Sequence, residues 1–412
     1  MRSIHNRLSL ICLIALLISA CSGTPSAETA TPSLNRSLPT LPVQTWRLAT
    51  TAISRANVDQ ISLIGNLVEH TATVNTLSFA RTRNWMISVD GAAIAYVWDM
   101  NTGRQIAQIS QPNPRDNTEG DVLQGFFGAE DTSIILRTTR GTLKLLNPTN
   151  FETIREIPGG TGGVSDALMT PDGETFITTT PRGEIRLWNA RDLTPRTVYE
   201  IANSRLYAPT ISRDGGRLAV AALDQNGVAT IRIYRLSDGQ MMVINAPPIL
   251  PQQMVFSPDG TLLATGGVGG LVAYDLGNGK VRYNIQEPEL RGGRGLTFSP
   301  DGRLLLSVGG GDVVYVYDAT SGNAYNHLAR HAKAATSVAF SPDGTLLLTT
   351  VSSASASAYL WAVEAIQADA KEHLRSSIGQ GSNGFFFGAW SPDSKLLILA
   401  DASGGMMIYG IP

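Results

Sequence analysis

One phrase recurs along this chain, and it constrains the fold more than any other feature. FSPDG stands at 256–260, 298–302 and 340–344, with worn copies MTPDG at 169–173, ISRDG at 211–215 and WSPDS at 390–394. Trp188, Tyr274, Tyr317 and Tyr409 follow four of these copies at a nearly constant interval. The copy at Ile211 reaches Tyr234 after a short insertion, and the copy at Phe340 reaches Trp361 slightly late. Phe79 to Trp98 and Phe127 to Leu146 keep the spacing without the phrase. Eight units result, starting at Phe79, Phe127, Met169, Ile211, Phe256, Phe298, Phe340 and Trp390. A period of about 44 residues is the mark of a repeat architecture.

Residues 296–328 explain what one unit does. Leu296 and Phe298 are apolar positions of a first strand, and Leu304 to Ser307 form a second. Between them Pro300 sets φ, Asp301 bonds its own backbone and Gly302 accepts positive φ, so the phrase is a turn. Val313 to Tyr317 make a third strand, and a more polar fourth follows the turn at Asp318 to Gly322. Four short antiparallel strands cannot bury both faces alone, so neighbouring units must stack. The stacked solution is an all-β propeller. Charged residues make up only 16% of the chain, and Gly accounts for 41 of 412 residues, which agrees with that class.

The units resemble WD repeats. Trp98-Asp99 is a literal WD pair, and Tyr274-Asp275, Tyr317-Asp318 and Trp188-Asn189 are variants of it. His70 and His331 precede Phe79 and Phe340 as that family's loop histidine does. In the family such a His joins a Ser or Thr, an Asp and the Trp within one blade. His70, Ser88 and Trp98 match three members of the set, with Ala92 standing where the Asp is expected. His331, Thr349 and Trp361 match likewise. The resemblance implies structural roles for both histidines, and no catalytic, metal-binding or cofactor-binding residue.

Eight blades are expected, with seven as the alternative, because the unit at Phe127 lacks both the phrase and the aromatic end. The last unit has three strands before Pro412, and residues 61–67 form a strand with no unit of its own. That strand is expected to complete the last blade and remove the open edge. Residues 110–121 read as a polar loop. Within residues 362–379, where Val363, Ile366, Ala370 and Leu374 share one stripe, a short helix is expected, inserted before or replacing an outer strand.

The N-terminus reads as an address. Arg2 and Arg7 precede an apolar run from Leu8 to Leu17, too short to span a bilayer as a helix. Ile18-Ser19-Ala20-Cys21 then resembles a bacterial lipobox. The resemblance implies a lipoprotein signal peptide over 1–20 and acyl chains such as palmitate on Cys21. Residues 21–52 form a flexible Pro-, Ser- and Thr-rich linker, with Trp46 as a docking exception, and 53–412 the propeller. Ser22, rather than Asp, after the Cys resembles outer-membrane sorting. The expected location is a bacterial cell membrane or outer membrane, facing outside the cytoplasm. The whole chain resembles a bacterial WD-repeat propeller lipoprotein.

The remaining motifs read as architecture. GGTGG at 159–163, GGVGG at 266–270 and GGG at 309–311 lack the strand-before and helix-after context of a phosphate loop. Arg291-Gly292-Gly293-Arg294 reads as a solvated connection between blades. Cys12 and Cys21 are the two cysteines, so the folded part has no thiol chemistry. A net charge of −2 provides no basic stripe for nucleic acid. A non-catalytic platform binding a protein or peptide partner is therefore expected. The alternative is an envelope enzyme, such as a propeller hydrolase, with a site in the central channel.

Overall fold

Antiparallel pairing of short strands is what the repeated turns impose, and the computed structural model builds eight sheets from it. It describes residues 46–109, 122–159, 163–245, 247–291, 295–308, 313–325, 328, 335–351, 358–368, 374–378 and 385–412. Blade 1 contains Val74–Phe79, Trp85–Asp90, Ala95–Asp99 and Arg104–Ile109. Blade 2 contains Val122–Phe127, Ile134–Thr138, Leu143–Leu146 and Thr153–Ile157. Blades 3 and 4 begin at Asp166–Met169 and Ser204–Ile211, each again with four strands. Blade 7 runs from Ala335–Phe340 to Leu374–Ile378.

Two blades depart from the pattern. In blade 5 a single long strand, Leu262–Asp275, pairs through its first half with Gln253–Phe256 and through its second with Val281–Arg291. Thr265 Oγ1 donates to Val272 O at 3.3 Å, so the element turns back on itself at the GGVGG motif. Gly269 and Gly270 lie at φ +92° and +154° there. A Cβ on Gly270 would collide with the Ile285 carbonyl, so these glycines serve backbone geometry. In blade 6 the described residues after the third strand pair back through isolated bridges, Val314 to Leu328 and Tyr317 to Ala324.

The unit at Phe127 is a true blade, and the seven-blade alternative is overturned. Leu146 occupies the aromatic position and pairs with Ile134. Both side chains are buried, so an aliphatic residue fills the place that Trp98 fills in blade 1.

The core is divided among the blade boundaries. Each adjacent pair shares its own apolar cluster; Phe127, Ile134 and Leu136 pack with Ile87, Val89 and Val97 between blades 2 and 1. The cluster between blades 8 and 1, with Ile398, Met406 and Ile408 against Met86, Trp98 and Met100, closes the ring. Ser62–Leu67 pairs antiparallel with Met406–Gly410 as the outer strand of blade 8, as expected from the sequence.

The chain ahead of that strand is also packed. Trp46 lies against Gly65 and Gly103, which have no side chain to obstruct its ring. Arg47 N donates to Ile64 O and Thr50 N to Ile411 O, both at 3.0 Å. Ile53 is fully buried, its N–H on Ser394 O at 2.8 Å. Arg55 ion-pairs with Glu364 of blade 7. Residues 46–60 thus form a strap running from blade 1 beneath blade 8 to blade 7. The packed chain begins by Trp46, ahead of the expected boundary at residue 53.

The short helix expected within 362–379 covers Val363–Gln367 and is inserted before the outer strand of blade 7, Leu374–Ile378, which pairs with Ala358–Trp361. The unpaired edge of Ala358–Ala362 captures that segment, because ladder hydrogen bonds outweigh a short helical preference. Arg291, expected in a connecting loop, is the last residue of Val281–Arg291 and pairs with Val268.

Candidate binding site

Strand alternation sends the SPDG turns, between first and second strands, to one face of the ring. The turns between second and third strands lie on the other. On the first face the phrase behaves as a turn. Ser257 Oγ donates to Asp259 Oδ1 at 2.6 Å, Thr261 N donates to the same oxygen at 3.0 Å, and Leu262 N donates to Ser257 Oγ at 2.9 Å. Gly260 sits at φ +68°. Ser299–Asp301 and Ser341–Asp343 repeat the pattern. Burial pushes the Asp259 carboxyl upward, but the hydrogen bonds from Ser257 and Thr261 outweigh it and hold the group below its ordinary value.

Blade 1 has no aspartate in its turn, and a neighbour supplies one. Asp131 of blade 2 accepts the backbone N–H groups of Arg81, Thr82 and Arg83 at 2.9, 2.6 and 3.1 Å, and the Thr82 hydroxyl at 2.7 Å. The Arg81 guanidinium then reaches past blade 2 to the carbonyls of Thr170 and Pro171 in blade 3, at 3.1 and 3.2 Å. Arg213 reaches in the same way from blade 4 to Pro300 O in blade 6, at 3.1 Å. Only a tight circle of turns about the axis permits such a reach.

A cleft of about 390 Å³ opens on this face at the closure seam. The strap contributes Leu48 to Thr50, blade 1 contributes Phe79 to Trp85 with Met100 and Asn101, and blade 8 contributes Ser391 to Leu396 except Ser394. The Arg83 guanidinium lies over the Trp85 ring at 4.6 Å. Arg81 and Lys395 are the other cations of its lining. On the opposite face, a smaller cleft of about 280 Å³ lies between blades 2 and 3, with Arg182, Glu184 and Arg186 at its edge. Glu184 already pairs with Arg186 there, at 2.7 Å.

The histidine set is complete, and the position expected for its acid is corrected. Asp90, not residue 92, is the carboxylate. His70 Nδ1 lies 2.9 Å from Asp90 Oδ2 and His70 Nε2 lies 2.6 Å from Ser88 Oγ, while Trp98 Nε1 donates to Ser88 Oγ at 2.8 Å. Asp90 ends the second strand, and its other oxygen accepts the N–H groups of Ala92 and Ile94, both at 3.0 Å. Asp224 and Asp401 hold the corresponding turns of blades 4 and 8 in the same way. The sequence signal was an Asp ending the second strand just before a Gly-containing turn. Burial pushes the imidazole pKa below its ordinary value, outweighing the upward pull of Asp90. Ser88, His70 and Asp90 imitate a nucleophile, base and orienting acid, but His70 is 4% exposed and Ser88 fully buried, so substrate cannot reach them. The set fastens the loop at His70 to blade 1.

In blade 7 Trp361 Nε1 donates to Thr349 Oγ1 at 2.8 Å, while His331 lies outside the described residues. Cys21, the loop 110–121 and residues 292–294 lie outside them as well. Among the described residues no group of three or more His, Cys, Asp or Glu is arranged to hold a metal ion. The first strands carry polar residues as well: Asp166 opens that of blade 3, and Gln124 in blade 2 accepts from Arg137 Nε at 2.8 Å.

Eight blades, inter-blade cores and the buried His-Ser-Trp set define an eight-bladed β-propeller built from WD-type repeats. Residues 322–362 match the family described as WD domain, G-beta repeat. That match is staggered: it begins after the third strand of blade 6 and ends with the third strand of blade 7. Apoptotic protease-activating factor 1 of Rattus norvegicus is 24% identical over 211 residues, covering 48% of this chain but 16% of that relative. The chain thus matches about a sixth of that protein's length. Among solved structures, Sqt1 of Chaetomium thermophilum superimposes with a TM-score of 0.69 at 16% identity, over 84% of this chain and 97% of its own. The same protein bound to the N-terminus of the ribosomal protein L10 gives 0.68 at 15%, over 84% and 99%. The C-terminal WD40 domain of Sif2 gives 0.66 at 13%, over 85% and 98%. At these identities the structural likeness establishes the fold alone.

Proposed function

We propose that this chain is a non-catalytic platform for a protein or peptide partner, held at a membrane of the bacterial cell envelope by acyl chains on Cys21. The observation carrying the platform reading is the ring itself. Its His70, Ser88, Asp90 and Trp98 set is hydrogen-bonded and buried away from substrate, while the cleft at the closure seam stays open to a partner. A propeller of the same fold, Sqt1, is known with a peptide segment of L10 bound. The anchor rests on Arg2, Arg7, the Leu8–Leu17 run and Ile18-Ser19-Ala20-Cys21. One chain gives reversible binding and two give a stable anchor, at about 0.8 kcal/mol per buried methylene. The linker gives the domain reach from the surface.

Fractionation of cells expressing wild type or Cys21→Ala tests the anchor. Loss of membrane association and of acyl mass in the variant is expected, and unchanged fractionation refutes it. Crosslinked pulldown from intact cells tests the platform. Reproducible capture of the same protein by wild type, competed by excess soluble propeller, is expected. Failure to capture any protein, together with turnover in a broad hydrolase screen, would favour the enzyme alternative.

A further inference from the structure

We infer that the closure seam is the docking site for an acidic peptide segment of the protein partner, with the carboxylate of a Glu or Asp side chain meeting Arg83 and Lys395. This deepens the platform reading and rests on it. The cleft volume of about 390 Å³ falls within the range of about 300–1,000 Å³ typical of ligand sites. Its charge is unbalanced. Arg81, Arg83 and Lys395 line it with Asp393 as the acid. Asp393 Oδ1 is occupied by the Ser391 hydroxyl and the Lys395 N–H, at 2.6 and 3.1 Å. Its Oδ2 stands 3.9 Å from Lys395 Nζ. Arg81 is committed to blade 3, whereas the Arg83 side chain has no carboxylate partner among the described residues.

Arg83 is also positioned in advance. Asp131 fixes its backbone, and the Trp85 ring supports its guanidinium, so little entropy is lost when a carboxylate arrives. The walls select for a second property. Leu48 is 54% exposed, and Phe79 and Trp85 are only partly buried, leaving apolar surface beside the cations. An aliphatic or aromatic residue next to the acidic one would cover it.

The placement has a mechanical consequence. The cleft is walled by the strap and by both blades that meet at the seam, so a bound peptide touches all three. Binding to the closed ring alone stabilises closure by linkage. Occupancy would therefore hold down the strap that joins the linker to the domain.

The test uses the full-length protein and N-acetylated, C-amidated octapeptides alternating Glu with Leu or Phe, against the same peptides with Gln for Glu. Calorimetric titration is expected to give saturable binding of the Glu peptides, weakened about tenfold or more by the Gln replacement and by Arg83→Glu or Lys395→Glu. Arg205→Glu, at the opposite end of a first strand, should bind as wild type does. Bound peptide should also slow tryptic cleavage after Arg47. Arg83→Gln, with an unchanged melting temperature, guards against misfolding. Equal binding of Glu and Gln peptides, indifference to both charge reversals, or no saturable binding overturns the inference. A crosslinked partner retained by Arg83→Glu would overturn the seam while leaving the platform standing; the platform fails only on the pulldown from intact cells.

Discussion

Asp131 accepts the backbone N–H of Thr82 at 2.6 Å across the boundary between blades 2 and 1. Blade 1 therefore borrows the carboxylate that blades 5, 6 and 7 carry in their own turns. Asp131 is fully buried, and burial alone would raise its pKa, yet the hydrogen bonds from Arg81, Thr82 and Arg83 hold it below the ordinary value. Asp131→Ala should cost about 2–3 kcal/mol, since it strands several donors that bonded a charged acceptor. A depressed folded-state pKa means the contribution is present above the unfolded value and lost as pH falls through the folded one. The gap in denaturant midpoint between wild type and variant should thus be constant near neutral pH and narrow below about pH 4. A pH-independent gap would show that the charge has no part in it.

His70 makes the opposite use of burial. Its folded-state pKa is lowered, so the unfolded chain binds a proton that the folded ring resists. Stability should be full above the unfolded value of about 6.5 and decline as pH falls below it. His70→Gln should be less stable at pH 7.5, and its melting temperature should change less than that of wild type between pH 7.5 and 5.5. Parallel pH profiles would count against a buried neutral imidazole.

Removal of the strap and closing strand should open the ring. Deleting residues 46–68 takes Ile53, Ile64 and Leu67 from the core, at about 1.5–3 kcal/mol each, and bares the Met406–Gly410 edge. The truncated protein should melt well below wild type and self-associate through the open edge, which size-exclusion chromatography would detect. A monomer with the wild-type melting temperature would contradict closure by this segment.

Ser394 occupies the glycine position of its turn at φ +59°, where Gly260, Gly302 and Gly344 sit at +68°, +73° and +73°. A side chain in that conformation costs about 1–2 kcal/mol. Ser394→Gly restores the phrase and should raise stability by roughly 0.5–1 kcal/mol after the entropy of Gly is subtracted. The change is read as a shift in denaturant midpoint at constant slope, and a destabilised variant would mean the serine hydroxyl has a compensating partner.

Much of the architecture follows from local chemistry alone. Ser-Pro-Asp-Gly closes a turn with its own atoms, so the blade boundaries, the count of eight and the missing strand at 61–67 were legible from spacing. Leu146 could replace an aromatic because burial asks for volume there rather than for a ring. What the sequence could not disclose depends on atoms far apart along the chain. Asp131 and Thr82 meet only because two blades pack side by side, and residues 47–52 looked like linker because a partner such as Ile411 comes from the other end of the chain. The acid of the His70 set was misplaced by two residues, since the geometry that brings Asp90 to His70 exists only once the loop folds over the blade. The seam cleft belongs to the same class. Its walls come from the two ends of the chain, so no local pattern marked it, and ring closure alone brings Leu48, Arg83 and Lys395 together.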